Sequence, residues 1–254
     1  MKKVSVTFET KCWENDWRIL LTTGRLQRMI DACNYDFARK TLYINNVRNR
    51  IVVGKQADKL VGKKVIDDYF YVEDHAPKAL DHFQIDKESF KGGYFYSIQE
   101  LVGIFLCSTD YVLHFSGDAM IQNREAWIEA AIERMEADPC IKVANPSWKK
   151  DLAEAKAESF SEDDCFFKSY GFSDQCYLVR AADFKGRIYN EKHPDSQRYP
   201  LYGGELFEKR VDAYMRNHTC TRLTSKRAYY LHKNFPRDSL RRWIMIVSGI
   251  NLKK

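Results

Sequence analysis

The sequence predicts an α/β domain in which one mostly parallel sheet is flanked by helices. Three observations carry that expectation. First, β-rich runs alternate with helical hydrophobic periods through the first half of the chain. Strands separated by helices need crossover connections, and those connections join parallel neighbours. Second, the 254 residues are 44% hydrophobic and 30% charged, with a mean hydropathy of −0.52. That balance buries a core and is not the composition of a disordered chain. Third, no uninterrupted apolar run approaches the roughly 18 residues of a membrane span.

The elements follow in order. VSVTFE (4–9) alternates as a strand, and Leu26, Met29, Ile30, Cys33 and Phe37 keep one helical face. TLYINNV (41–47) is the second strand, and Val53, Ala57, Leu60 and Val61 mark the next helix. DYFYVED (68–74) is a third strand. Ile98, Leu101, Val102, Phe105 and Leu106 are spaced as a helix leading into the strand DYVLHFS (110–116). Ile128, Ala131, Ile132 and Met135 continue the pattern. After Pro146 the alternation weakens, and the acidic stretch 149–165 reads as a surface excursion or a mobile loop. QCYLV (175–179) is a strand, and 187–204 is a loop rich in turn formers. A helix starts at Glu205 with Phe207, Val211 and Tyr214 on one face, and AYYLH, ending at His232, is the last strand. No repeat or linker interrupts the chain, so residues 1–254 are read as a single domain.

Charge and cysteine usage narrow the classes of function. The net charge of +6 arises from 41 bases against 35 acids, and the bases do not interleave with aromatics in one stretch, so no nucleic-acid partner is expected. Seven cysteines without a CxxC pair read as buried thiols of a reducing compartment. MKKVSVTFETK does not form a signal peptide, and the expected location is cytoplasmic. GxGxxG, GxxxxGK[ST] and GxSxG motifs are all absent.

Chemistry remains at four places. In HFSGD (114–118) a hydrophobic strand runs into Ser116-Gly117-Asp118, putting a carboxylate at a strand end beside a glycine that lets a ligand approach. The same residues also suit an ordinary turn. In YGGELFEKR (202–210) two glycines precede Glu205, which is placed either as a helix-dipole partner or as a proton acceptor from a hydroxyl. His232, followed by Lys233, ends a strand and has the imidazole chemistry to join a metal site. Asp174, in GFSDQCYL (171–178), precedes a strand as a turn acid or an acceptor-hydroxyl ligand.

Taken in order, these motifs resemble a glycosyltransferase of the GT-A fold over nearly the whole chain. YFYSIQELVGIFLCSTDYVLHFSGD looks like that family's helix followed by the strand carrying its DxD metal motif. WIEAAIERMEADPCIKVANPSW resembles the helix and strand that follow, and GFSDQ and YGGELFE resemble its acceptor-side motifs. Two positions depart from the pattern: Ser116 replaces the first carboxylate of DxD, and Leu206 follows Glu205 where family members often carry an acid.

The resemblance implies a nucleotide-binding half over 1–118, an acceptor half over 119–236 and a basic and apolar tail over 237–254. It implies a nucleoside-diphosphate sugar bound near Thr7, Phe8, Glu9, Asn45, Ser116, Gly117 and Lys233, with Asp118 and His232 holding Mn²⁺ or Mg²⁺. Glu205 or Asp174 would deprotonate the hydroxyl of a glycan or lipid-linked acceptor if the reaction inverts configuration, whereas a retaining enzyme would need no such base. A non-catalytic binding protein of the same fold and a sugar nucleotidyltransferase are the alternatives. In the tail, Arg237, Arg241 and Arg242 precede Trp243, Ile244, Met245, Ile246 and Val247, and the chain ends Lys253-Lys254. This stretch is expected either to make peripheral membrane contact or to dock as a last helix.

Overall fold

A computed structural model describes residues 4–199, 204–236 and 238–248. Among the described residues ten strands form one sheet. Its first half is β1 (Val6–Cys12), β2 (Arg39–Ile44), β3 (Asp68–Tyr71) and β4 (Tyr111–Phe115), joined as parallel pairs in the order β3-β2-β1-β4. The second half holds β5 (Ala119–Ile121), β6 (Ile141–Trp148), β7 (Ser159–Glu162), β8 (Phe166–Ser169), β9 (Cys176–Arg180) and β10 (Thr221–His232). There β9 lies antiparallel between β4 and β6, so β4 and β6 point the same way, and β10 pairs parallel with β6. The sheet is therefore mixed, with its main strands sharing one direction. β8 and β7 close the far edge as antiparallel additions.

Helices cover both faces. α1 (Trp17–Thr22), α2 (Arg25–Ala32), α3 (Arg50–Gly62) and α6 (Ile128–Ala137) lie on one side; α4 (Val72–Phe83), α5 (Tyr94–Leu106) and α9 (Phe207–Asn217) pack on the other. The short α7 (Ala153–Ala157) and α8 (Ala181–Phe184) fill connections, and α10 (Ser239–Ser248) packs against α1. Strand periodicity assigns side chains to these two layers. Val6, Phe8 and Cys12 enter the first core with Leu26 and Met29. Thr7, Glu9 and Lys11 alternate to the opposite face, towards α5.

The expected elements are met with several shifts. β1 runs to Cys12 and not to Glu9, which moves the strand end by three residues. The 26–37 period ends at Ala32, and Phe37 packs from the following loop against the Phe8 ring, centroids 5.4 Å apart. DYFYVED stops as a strand at Tyr71. Val72 then begins a helix that contains Pro77 and buries Val72, Ala76, Ala79 and Phe83. The 149–165 stretch holds α7 and β7, and the helix expected from Glu205 begins at Phe207. Pro146 sits inside β6, opposite an irregularity in β10 between Ser225 and Tyr229. A residue without an N–H is tolerated at such a bulge. Beyond it, β10 continues to pair with β5, and this carries His232 to the sheet end where β4 terminates.

Candidate active site at the strand ends

The turn after β4 is shaped by a close approach. A side chain at Gly117 would place its Cβ 2.9 Å from the Lys11 carbonyl oxygen, so only glycine lets this turn pack on β1. The buried Arg25 fixes the turn by donating from Nε to the Gly117 carbonyl at 2.9 Å. Ala119 of β5 is then in register with His232 of β10. The result is an ion pair between Asp118 Oδ1 and His232 Nε2 at 3.1 Å, with the Ser116 hydroxyl donating to the same oxygen at 3.1 Å. Burial pushes Asp118 up, but the hydrogen bond and charge of His232, with the Ser116 hydroxyl, outweigh it and hold the carboxylate below its ordinary range. Burial likewise pushes His232 down, and the carboxylates of Asp118 and Asp174 more than reverse it, so the imidazole is favoured in its protonated form.

Four further groups join this pair. On β1, Lys11 reaches across the α5 face to an ion pair with the fully buried Glu100. Burial opposes the lysine's charge, while Glu100, Asp174 and Asp118 restore it and raise its pKa. Glu208, from the first turn of α9, accepts from the main-chain N–H of Asp174. Burial, then the charge of Asp174, pushes the Glu208 carboxyl up to about 8. Asp16, beneath the turn, accepts from the Trp13 N–H at 2.7 Å and is pushed by burial to about 8. Lys11, Glu100, Asp16 and Glu208 are absent from the sequence expectations. A longer β1 exposes the role of Lys11, and the i+3 spacing from Glu205 is the signal that would find Glu208.

Among the expected residues, Ser116, Gly117, Asp118, Asp174 and His232 are brought together. Lys233 follows at the rim, its N–H directed to the Asp118 carbonyl at 3.3 Å and its side chain exposed. Asn45 follows the end of β2, but its amide is turned inward, donating to the Phe95 carbonyl at 2.9 Å and to Gln99 at 2.7 Å. Thr7, Phe8 and Glu9, expected near the donor at a strand end, are placed elsewhere. With β1 extended to Cys12 they lie inside the strand. Phe8 is wholly buried in the core, Thr7 meets Thr109 at 2.7 Å, and Glu9 is sealed against His114. Glu205 lies apart, salt-bridged to Lys209 at 3.0 Å and Lys91 at 3.8 Å. Burial raises its pKa, and Lys209, Lys91 and Arg210 bring it below the ordinary carboxylate value. Tyr202 and Gly203 of the YGGELFE motif lie outside the described residues.

The donor set was expected to hold Mn²⁺ or Mg²⁺. Among the described residues no group of three or more His, Cys, Asp or Glu is placed to hold a metal ion, and Asp118 Oδ1 is already engaged by His232 and Ser116. The residues present do not fit a preformed divalent site.

No protein-family model matches the sequence, and no curated protein matches it. Among solved structures, the crystal structure of GalNAc-T7 with UDP, GalNAc and Mn²⁺ superimposes with a TM-score of 0.55 at 9% identity. The fold is GT-A-like. The match covers 96% of this chain and 48% of the other, so this chain spans about half the length of that protein. At such low identity the likeness is one of fold.

Proposed function

We propose that this chain is a glycosyltransferase that moves a sugar from a nucleoside-diphosphate donor to a hydroxyl of a glycan or lipid-linked acceptor. The observation that supports it best is the convergence of Lys11, Asp118, Asp174, Glu208 and His232 at the carboxyl ends of β1 and β4, where open α/β sheets bind their ligands. The GT-A-like fold, shared with the structure of GalNAc-T7 with UDP, GalNAc and Mn²⁺, supports the same reading.

In this proposal the donor diphosphate lies over the turn 116–118, and Lys11 and protonated His232 supply positive charge where negative charge builds on the leaving group. Asp118 keeps His232 protonated and oriented. The acceptor oxygen attacks the anomeric carbon, the bond from that carbon to the diphosphate oxygen breaks, and the hydroxyl proton passes to Glu208 with Asp174 beside it. A carboxyl with a pKa of about 8 is a stronger proton acceptor than an ordinary carboxylate and is matched to near-neutral catalysis. Glu205, lowered by its lysines, serves better as an anchor of the α9 start.

A screen of UDP-, GDP- and dTDP-sugars, with and without Mn²⁺, tests the proposal by thermal stabilisation and by donor hydrolysis. One nucleotide is expected to stabilise the chain, and its sugar to be released. No response to any donor refutes the proposal. Stabilisation without turnover assigns the chain to the non-catalytic reading, which the replacement of the first DxD carboxylate by Ser116 favours.

A further inference from the structure

A cavity of about 260 Å³ opens between the loop after β1, α1, the loop after β2 and α10. Arg18, Arg48 and Arg242 line it from three separate elements, together with Trp243. Among the described residues none of the three guanidinium groups makes an ion pair. The one acid in the lining, Glu14, is engaged through Oε2 by the Arg48 main-chain N–H at 2.8 Å. With Glu14 the one carboxylate in the lining and Asp16 near enough to Arg242 to feel its charge, the three guanidinium groups still leave an excess of positive charge that an anion would offset. The arrangement has no role in the transfer chemistry described above.

The outer surface of α10 indicates what kind of anion this is. Ser239, Arg242, Trp243 and Ile246 face the cavity, while Leu240, Trp243 and Val247, at i, i+3 and i+7, are each more than half exposed. Met245 alone of this helix is buried, so α10 docks on the domain without covering its apolar row. Trp243 belongs to both faces. A free phosphate would satisfy the arginines and leave the apolar row in water, whereas a phosphate carrying acyl chains satisfies both. Among the described residues no helix is long and apolar enough to cross a membrane, so such contact is interfacial.

We propose that this cavity binds the phosphate of an anionic lipid headgroup, with Leu240, Trp243 and Val247 entering the acyl boundary beside it. This replaces the broader expectation of a basic tail. Arg237, Lys253 and Lys254 of that expectation lie outside the described residues, and the site rests on Arg18, Arg48 and Arg242, two of which precede the tail.

The test is co-sedimentation of the full chain with vesicles of phosphatidylcholine alone or mixed with phosphatidylglycerol. No transfer activity is needed for the readout. The chain is expected to pellet with the anionic vesicles only, and high salt should release it. The triple variant R18Q/R48Q/R242Q should bind at least about tenfold more weakly with an unchanged melting temperature. The equal-charge control K150Q/K156Q/K192Q, which alters exposed lysines of the other half, should bind as the parent does. L240S/V247S should weaken binding several-fold. Failure to pellet, retention by the arginine variant, or an equal loss in the lysine control would each overturn the proposal. So would thermal stabilisation by inorganic phosphate without vesicle binding, since that outcome makes the cavity a site for soluble phosphate.

Discussion

Two acid–imidazole pairs lie a few residues apart at the centre of this sheet, and their surroundings push their charge states in opposite directions. Glu9 Oε1 and His114 Nδ1 are 3.0 Å apart on paired positions of β1 and β4, with side chains 1% and 2% exposed. Tyr177 stacks on the imidazole at 4.8 Å and seals it. Burial pushes Glu9 well up and His114 well down, so both shifts favour the uncharged forms. Asp118 and His232 meet at 3.1 Å, but their side chains are 20% and 22% exposed. There the mutual attraction overcomes a smaller desolvation, and the pair is charged. Contact distance is nearly the same in both. Solvent decides which pair is a packed polar contact and which offers charge to a ligand.

Glu208 stands between these extremes, and the largest effect is expected there. Glu208→Gln should lower kcat by about 10²- to 10⁴-fold if this carboxyl takes the acceptor proton, and should remove a rise of the rate with pH centred near 8. That rise follows from the sign of the shift, since only the ionised carboxylate accepts a proton and its population grows as pH passes about 8. Glu205→Gln should stay within about threefold, having no step to lose. The reverse ranking of the two variants returns the base to Glu205. Asp118→Asn should cost about 10²- to 10³-fold in kcat while the urea midpoint stays close to the parent's, because this side chain is partly solvated. An active Asp118→Asn enzyme would remove the charged pair from the mechanism.

A structural intrusion sharpens the contrast from the dry side. A Cβ at Gly103 of α5 would lie 2.6 Å from Glu9 Oε2, an oxygen with no hydrogen-bond partner among the described residues. Gly103→Ala should destabilise by roughly 1–3 kcal/mol by overpacking a site that cannot yield to water. Equilibrium denaturation checks it. A neutral or stabilising result would mean that α5 moves freely against β1.

The charged pair carries a smaller, pH-dependent contribution of roughly 1 kcal/mol, as for one charge-assisted hydrogen bond with partial exposure. His232 has a raised folded-state pKa, so its contribution is complete below the ordinary imidazole value and fades as pH rises through the raised one. Asp118 has a lowered one, so its contribution is present above the ordinary carboxylate value and fades as pH falls through the lowered one. The stability difference between the parent and His232→Asn should therefore be widest near pH 5–6 and shrink towards pH 9. A difference independent of pH would show that His232 acts by packing alone.

The same division explains what was legible in the sequence. Asp118 and His232 adjoin clear hydrophobic strands, YVLHF and AYYLH, so strand ends could be placed and an ionisable group noticed at each. Their pairing was not legible, because it depends on β5, a strand of three residues hidden in the run after the turn. The strand expected over 4–9 stops short of Cys12 because the polar run Glu9-Thr10-Lys11 carries no β-rich signal of its own. In the fold the face that carries Glu9 and Lys11 is buried against α5, where Glu9 meets His114 and Lys11 meets Glu100. Polar residues that satisfy one another inside a protein carry the same letters as polar residues in water. Glu208 was lost for the same reason, as one acid in a helix start, EKR, that looks solvated.

The smallest effect is the most decisive for the comparison. If Glu9 is a neutral acid in the fold, Glu9→Gln replaces it with a neutral group of nearly equal shape that can still hydrogen-bond to His114. The change in unfolding free energy should then stay within about 1 kcal/mol. If the pair were instead a buried carboxylate against an imidazolium, removing the negative partner would strand the positive one and cost about 3–5 kcal/mol. The two readings also differ in pH dependence. A carboxyl held protonated by burial binds its proton in the folded state more tightly than in the unfolded one, so it makes the parent less stable as pH rises above the ordinary glutamate range. Glu9→Gln abolishes that decline, and the variant should overtake the parent in urea midpoint at alkaline pH. A variant that is less stable at every pH from 5 to 9, by several kcal/mol, would show that the dry pair is charged after all and that burial does not separate the two pairs.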